Sequence, residues 1–398
     1  MRPLRVRAYN VEFGDAFLIS IPKSTQNDDE EYQHILIDVG NRGTENCNDY
    51  YKPVVENVLD ELNGKPLDLY VMTHEHMDHI KGLPYLEKNE YTDDDEQLLK
   101  LLDVRYSWFP ASSEPNYFDD PSHEIAKAKL QEIKANLTEI GAYLDALKAV
   151  GEPVDLYLQT LWAINSLATT QACVDYLKTF NGQNYLYREI DTSGLHLFSE
   201  ANFEVWAPEP DVGVYFSAFS PQPMHLKEFR TTKEGDETLK SLALVPPPGV
   251  DAGTFYDLVS SRNRFYENLL AANSSFNNTS IVFCLEWHGN KLLFTGDAEE
   301  LSWETMKRNN MLKEVDFLKV SHHGSENGTP DDEILEIILP EGNKNDHIAL
   351  VSTIRGPYPS IPDDLTLQSI KDRCRELIRL DDGTTEPGGY KDIFFDPK

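Results

Sequence analysis

The sequence predicts an α/β protein: a single main domain over residues 1–398, carrying a helical insertion at 121–180. Three observations carry this reading. Short β-favouring runs cluster near both ends, a long amphipathic helical stripe separates them, and several of the strands run directly into histidine- or acid-bearing loops.

The opening segments RVRAYNVEF, AFLISI and HILIDVG are broken by Gly14-Asp15 and by the polar loop 23–31, which reads as a strand meander. LDLYVMT (67–73) is a near-continuous apolar run, the signature of a buried strand, and Pro84 sits near a following helix start. EKNEYTDDDE (87–96) reads as a solvated acidic loop. Beyond it, Leu130, Ile133, Leu137, Ile140, Leu144 and Leu147 alternate spacings of 3 and 4, a stripe that needs a partner helix. GEP (151–153) breaks that pattern, and DLYLQTLWAINSLATTQACVDYLKTF reads as the returning leg of a helical hairpin over 121–180. A contact with a second copy is the alternative use of the stripe.

After the proline-rich VPPPG, helix-favouring sequence returns at 254–272. IVFCLEWHGNKLLFTGD (281–297) reads as a β-hairpin turning at His288-Gly289-Asn290. FLKVSHHGS (317–325) and HIALVST (347–353) read as further strands, and no repeat of fixed period is present.

A formal net charge of −32 argues against unaided binding to nucleic acid or anionic lipid, whose attraction comes from lysine and arginine. A nucleic-acid role then requires bound cations, a local basic patch or a basic partner. Cys47, Cys173, Cys284 and Cys374 are widely spaced with no CxxC pair, which fits buried thiols in a reducing compartment. The N-terminal sequence shows no apolar signal region and no apolar run reaches membrane-spanning length, so the expected location is cytoplasmic, without a membrane partner.

HEHMDH (74–79) crowds three histidines and two acids behind an apolar strand. Alternate residues of an extended segment point the same way, so His74 and His76 can grip one ion. Asp78 and His79 are positioned for a second, Asp297 at the end of the TGD strand suits a bridging carboxylate, and SHHG can supply a last imidazole. That is the layout of a dinuclear hydrolytic centre.

HxHxDH, then TGD, then HHG, in this order, resembles the metallo-β-lactamase superfamily, and within it the metallo-hydrolase domain of ComEC-type DNA-uptake proteins. FGDAFLI, LIDVG, NNTSIVF, LLFTGD and KVSHHGS carry the likeness, which covers about residues 4–90, 195–210 and 277–355. The resemblance implies an αββα sandwich with two divalent ions, Zn²⁺ or Mn²⁺, at the edge of its sheets. It implies His74 and His76 on one ion, Asp78 and His79 on the other, Asp297 between them, and His323 as a further ligand. His322 would face substrate, and Asp38 would orient a ligand imidazole. Asn277 and Asn278 stand where many members of the superfamily carry a third histidine, which makes the first ion's site harder and favours Mn²⁺ as a rival to Zn²⁺.

The implied activity is metal-dependent hydrolysis of a phosphodiester by a metal-bridged hydroxide, with nucleic acid the leading substrate and Asp78, Asp297 and His322 in the chemistry. A small phosphodiester, a lactone or a thioester are alternative substrates, and a metal-stabilised binding or regulatory module is the non-catalytic alternative. A regulatory protein or a second copy is the implied macromolecular partner. Arg355, Tyr358 and Ser325 fall in the neighbourhood where substrate would be held. Asp15 either caps a turn or joins the site; Arg262 and Arg264 read as a solvated helix face. His123, His196, His225, His288 and His347 stand apart as surface or core histidines.

Overall fold

Strands β1 (Leu4–Tyr9), β2 (Phe17–Pro22) and β3 (Tyr32–Ile37) pair antiparallel, as the alternating opening segments require. The structure, a computed structural model, describes residues 2–23, 32–42, 48–88, 102–149, 151, 153–154, 156–221, 265–356 and 360–398. From β3 onward the sheet is parallel, adding β4 (Leu67–Val71), β5 (Val104–Pro110) and β6 (Gln183–Leu186). The C-terminal strand β13 (Tyr390–Phe395) returns to pair antiparallel with β1, giving the order β13-β1-β2-β3-β4-β5-β6.

A second mixed sheet is built from β7 (Ala201–Ala207), β8 (Val282–Trp287), β9 (Asn290–Phe294), β10 (Phe317–Lys319), β11 (Ile348–Val351) and β12 (Glu376–Arg379). Its order is β12-β11-β10-β9-β8-β7, antiparallel from β7 to β9 and parallel from β9 to β12. The β8–β9 hairpin turns through His288 and Gly289, as the sequence predicts.

Period-two alternation sorts the side chains into layers. On β2, Phe17, Ile19 and Ile21 enter a cluster shared with Phe283, Leu285, Phe294, Phe317 and Leu350 of the second sheet, while Leu18 faces the other way. The two sheets therefore pack face to face. Leu18, Leu36 and Tyr70 meet the helix Asn48–Leu62 and its neighbours on one outer side. Leu293, Leu318 and Val351 meet the helices Glu300–Arg308, Asp332–Ile338 and Asp364–Asp372 on the other. Such four-layer burial explains why β4 reads as a near-continuous apolar run and why β11 is wholly apolar.

Parallel neighbours cannot be joined by a tight turn. The helical run between β5 and β6 is thus a crossover connection, and it contains the stretch read as an insertion. Its first helix, Glu124–Ala149, buries Leu130, Ile133, Leu137, Ile140 and Leu144 against Phe265, Leu269 and Ala272 of the helix Phe265–Asn277. The stripe is covered inside the chain. The returning leg departs from the simple hairpin: it divides into Leu156–Ile164 and Leu167–Leu177. At the break, the Asn165 amide donates to Leu161 O at 2.9 Å and to Asn273 Oδ1 at 2.9 Å, in competition with regular helix bonding. The second piece buries Cys173, Val174 and Leu177 against the first sheet's outer layer. Among the described residues, no helix is long and apolar enough to cross a membrane.

Candidate metal centre

The histidine-rich segment leaves β4 where the two sheets meet. Ile281 N, just before β8, donates to Thr73 O at 2.9 Å, so the loop is tied to the second sheet as it turns into the short helix Met77–Ile80. The glycines of FGD and DVG have a steric reason to be there. A Cβ on Gly14 would lie 2.2 Å from Gly40 O, and one on Gly40 would lie 2.3 Å from Asp78 C and His79 N. Only bare backbone lets these loops close over the Asp78–His79 turn. Gly14 also has φ +154, a backbone conformation that side-chain-bearing residues rarely adopt.

Asp38, at φ +50, anchors the centre from β3. Its carboxylate accepts from Thr73 N at 2.9 Å and from Thr73 Oγ1 at 2.6 Å, and it meets His79 Nδ1 at 2.8 Å. With Nδ1 engaged, His79 presents Nε2, which lies 3.1 Å from Asp297 Oδ2. His323 is oriented in the same way: Nδ1 meets Ser352 O at 2.9 Å, and Nε2 lies 3.4 Å from both Asp78 Oδ2 and Asp297 Oδ2. Asp78, His79, Asp297 and His323 thus offer four buried donor atoms within 4.8 Å of one another, a group able to hold a metal ion.

His74 and His76 lie beside this group as a facing pair, Nε2 to Nδ1 at 3.1 Å. Burial, reinforced for His74 by His79 and His76, lowers the pKa of both rings, which favours the neutral imidazole that ligation requires. His79 behaves oppositely. Burial alone would lower it, but the Asp297 and Asp38 carboxylates raise it well above its ordinary value. Asp297 is held well below the carboxylate range: His79, His323 and Lys319 overcome the upward push of burial.

Asp15, Asp38 and His79 form a second close group. Asp38 takes Thr73 and His79, and Asp15 pairs through Oδ2 with the buried Lys319, while its Oδ1 has no hydrogen-bond partner among the described residues. We assign them to support. Asp15 therefore joins the site rather than merely capping a turn.

His322 and His323 both have positive φ, 44° and 53°, a left-handed conformation that costs non-glycine residues about 1–3 kcal/mol each. The double turn sends neighbouring imidazoles different ways. His323 enters the four-donor group, whereas His322 Nδ1 lies 3.2 Å from Glu299 Oε1. Burial would lower the pKa of His322, but Glu299 and Asp297 raise it. Its side chain keeps 13% exposure where His79 and His323 have none, so it is the imidazole of this group open to solvent.

The two asparagines separate in role. Asn277 Nδ2 donates to Glu299 Oε1 at 2.6 Å and lies 3.4 Å from His322 Nε2. Asn278 Oδ1 accepts from Glu299 N at 3.2 Å and Ser302 N at 2.9 Å, satisfying the start of the helix Glu300–Arg308. Ser325 Oγ likewise accepts from Gly328 N at 3.1 Å, closing a turn. Arg355 is exposed and pairs with Asp364. Tyr358, Arg262, Arg264, His225 and Cys47 lie outside the described residues. His123, His196, His288 and His347 stand apart from the cluster.

Sequence reasoning overlooked Lys319 and Glu299. Each carried a signal: a lysine inside the apolar FLKV strand, and an acid two residues after the TGD aspartate. Comparison of the chain with known family models and with curated proteins finds no match.

Proposed function

We propose that this chain is a dinuclear metal-dependent hydrolase of the metallo-β-lactamase type, acting on a phosphodiester. The observation that carries the reading is the set of buried donor atoms at one place: His79 Nε2 and His323 Nε2 face only carboxylate oxygens at 3.1–3.4 Å, and, among the described residues, His76 Nε2, Asp78 Oδ1 and Asn277 Oδ1 have no hydrogen-bond partner. Buried polar groups are nearly always satisfied, and each orphan costs about 1–3 kcal/mol. Asp78, His79, Asp297 and His323 bring donor atoms of this kind within 4.8 Å of one another, which fits a cation-binding centre. The helix–sheet–sheet–helix layering supports the same family reading.

Asp78, His79, Asp297 and His323 would hold one ion, and His74 and His76 another, with Asp297 near both. Divalent ions there would lower the pKa of bound water toward ~7 and offset the charge on a phosphate oxygen. The chain's own contribution is orientation and proton handling. Asp38 and Ser352 O fix the two ligand rings by their Nδ1 atoms, which sets Nε2 toward the cleft. Lys319 holds Asp297 from behind through Oδ1 at 3.4 Å. His322, paired with Glu299 and partly open to solvent, is placed to meet a substrate oxygen and pass a proton to the leaving group. Zn²⁺ and Mn²⁺ both suit this mixed nitrogen and oxygen donor set.

The test is reconstitution with Mn²⁺ or Zn²⁺, elemental analysis, and assay on single-stranded DNA, duplex DNA, RNA and bis(p-nitrophenyl) phosphate. About two ions per chain and chelator-sensitive turnover of at least one substrate would support the reading. Full metal occupancy with no phosphodiester cleavage would overturn it in favour of an ester hydrolase or a metal-stabilised binding module.

A further inference from the structure

His79 and His323 are each oriented by an acceptor at Nδ1, Asp38 for one and Ser352 O for the other. His76 has no such partner among the described residues. Its Nδ1 faces His74 Nε2 at 3.1 Å, and its Nε2 meets no hydrogen-bonding group. Packing is also incomplete around this stretch, because Glu75 and His76 border a cavity of about 310 Å³. Phe276, on the same wall, meets the His76 ring edge-on at 6.0 Å.

The chain on either side of His76 is held instead. Downstream, His76 O accepts from His79 N at 3.0 Å and from Ile80 N at 3.2 Å, which starts the short helix Met77–Ile80. Upstream stands Glu75, between the two histidines. Its Oε1 accepts from Ser113 Oγ at 2.6 Å, and Ser113 O in turn accepts from Lys178 Nζ. The 2.6 Å length is that of a hydroxyl donating to a carboxylate, a bond roughly twice as strong as a neutral pair. Ser113 is 4% exposed and closes the turn Ala111–Ser113 after β5, whereas Lys178 follows the helix Leu167–Leu177. Both ends of the crossover therefore meet at Glu75.

We propose that Ser113 and Lys178 are positioning residues for the His74–His76 pair, because by clamping Glu75 they fix the extended stretch from which both imidazoles project. The proposal rests on the metal-centre part of the reading above. It makes the crossover a working part of that centre, although every ligand expected from the sequence lies outside the crossover. The clamp does for His76 through the backbone what Asp38 does for His79 through the ring.

The test is the affinity of each metal position, read by competing Zn²⁺ against a chelator while following histidine side-chain NMR signals, with no turnover required. His76 reports one position, and His79 and His323 report the other. Ser113→Ala is expected to weaken Zn²⁺ at His76 by about tenfold, the lower end for groups that orient ligands, and to leave the other position unchanged. Lys178→Met should weaken the same position, and it carries the test if Ser113→Ala does not fold. Ser113→Thr keeps a hydroxyl and Glu75→Gln keeps an acceptor oxygen, so both should stay close to wild type. Unchanged affinity at His76 in the folded variant overturns the proposal. Equal weakening at both positions also overturns it, since that would mark a general loss of stability. Weakening by Glu75→Gln with none by Ser113→Ala would assign the effect to charge and overturn the clamp as well. Wild type that takes up no Zn²⁺ at either position removes the metal-centre reading and this inference together. Both positions filled, with no hydrolysis, would count against the hydrolase reading alone.

Discussion

Lys319 and Asp15 form a buried ion pair directly behind the cluster of Asp78, His79, Asp297 and His323, both side chains being 2% exposed. The lysine also donates to Gly296 O at 2.8 Å and reaches Asp297 Oδ1 at 3.4 Å, so one cation braces Asp297 and its loop. Burial would lower its pKa, but Asp15 and Asp297 raise it, and Lys319 stays charged.

Removing one member of such a pair leaves its partner charged and buried, which costs about 3–5 kcal/mol. Lys319→Met should lower the stability of chelator-treated protein by that order in urea denaturation. Asp15→Asn combined with Lys319→Met should recover a large part of the loss. Equal stability of the single variant and wild type would show that the pair is not a structural element.

The HHG pair separates assembly from chemistry. His323→Ala removes a member of the four-donor group and should release at least one ion, measured by elemental analysis after dialysis. His322→Ala should keep both ions and lower kcat by about 10²–10⁴-fold, the scale of losing an acid–base group. Metal retained in His323→Ala but lost in His322→Ala would reverse the two assignments.

Asp38 acts through His79 Nδ1 at 2.8 Å, outside the group of donors that would touch metal. Asp38→Asn should weaken affinity for metal by about 10–100-fold in chelator competition, with the stoichiometry at saturation unchanged. Unaltered affinity would leave Asp38 as a brace for Thr73 alone.

A pH test lies on the outer face of the first sheet. Burial, with help from the Arg5 charge, pushes His34 down from 6.5 to about 4. The unfolded chain therefore takes up this proton first, and stability present above the unfolded value drains as pH falls between the two. From pH 7 to pH 5 the wild type should lose about 2 kcal/mol more than His34→Gln, read from denaturation midpoints. Parallel loss in both proteins would contradict the burial effect.

Much of the centre was legible in local pattern. The strand-then-cluster order of LDLYVMTHEHMDH, TGD and SHHG places Asp78, His79, Asp297 and His323 at strand ends, and that is where they converge. The β1–β3 meander, the β8–β9 hairpin and the stripe from Leu130 to Leu144 followed from periods of two and of three to four. Short-range sterics and alternating burial act within a few residues, so sequence alone determines them.

Tertiary structure decided the rest. The C-terminal β13 pairs with β1 across nearly the whole chain, and no local signal encodes a partner so distant. The returning helix is interrupted at Asn165, whose amide reaches Asn273, 108 positions away. Asn277 and Asn278 are adjacent in sequence, yet one faces His322 while the other satisfies a helix start. Lys319 became a site residue only when β10 settled beside β9 and the loop carrying Asp15 closed over it. Each depends on which long-range contacts form, because a buried polar group takes whatever partner the assembled fold brings within reach.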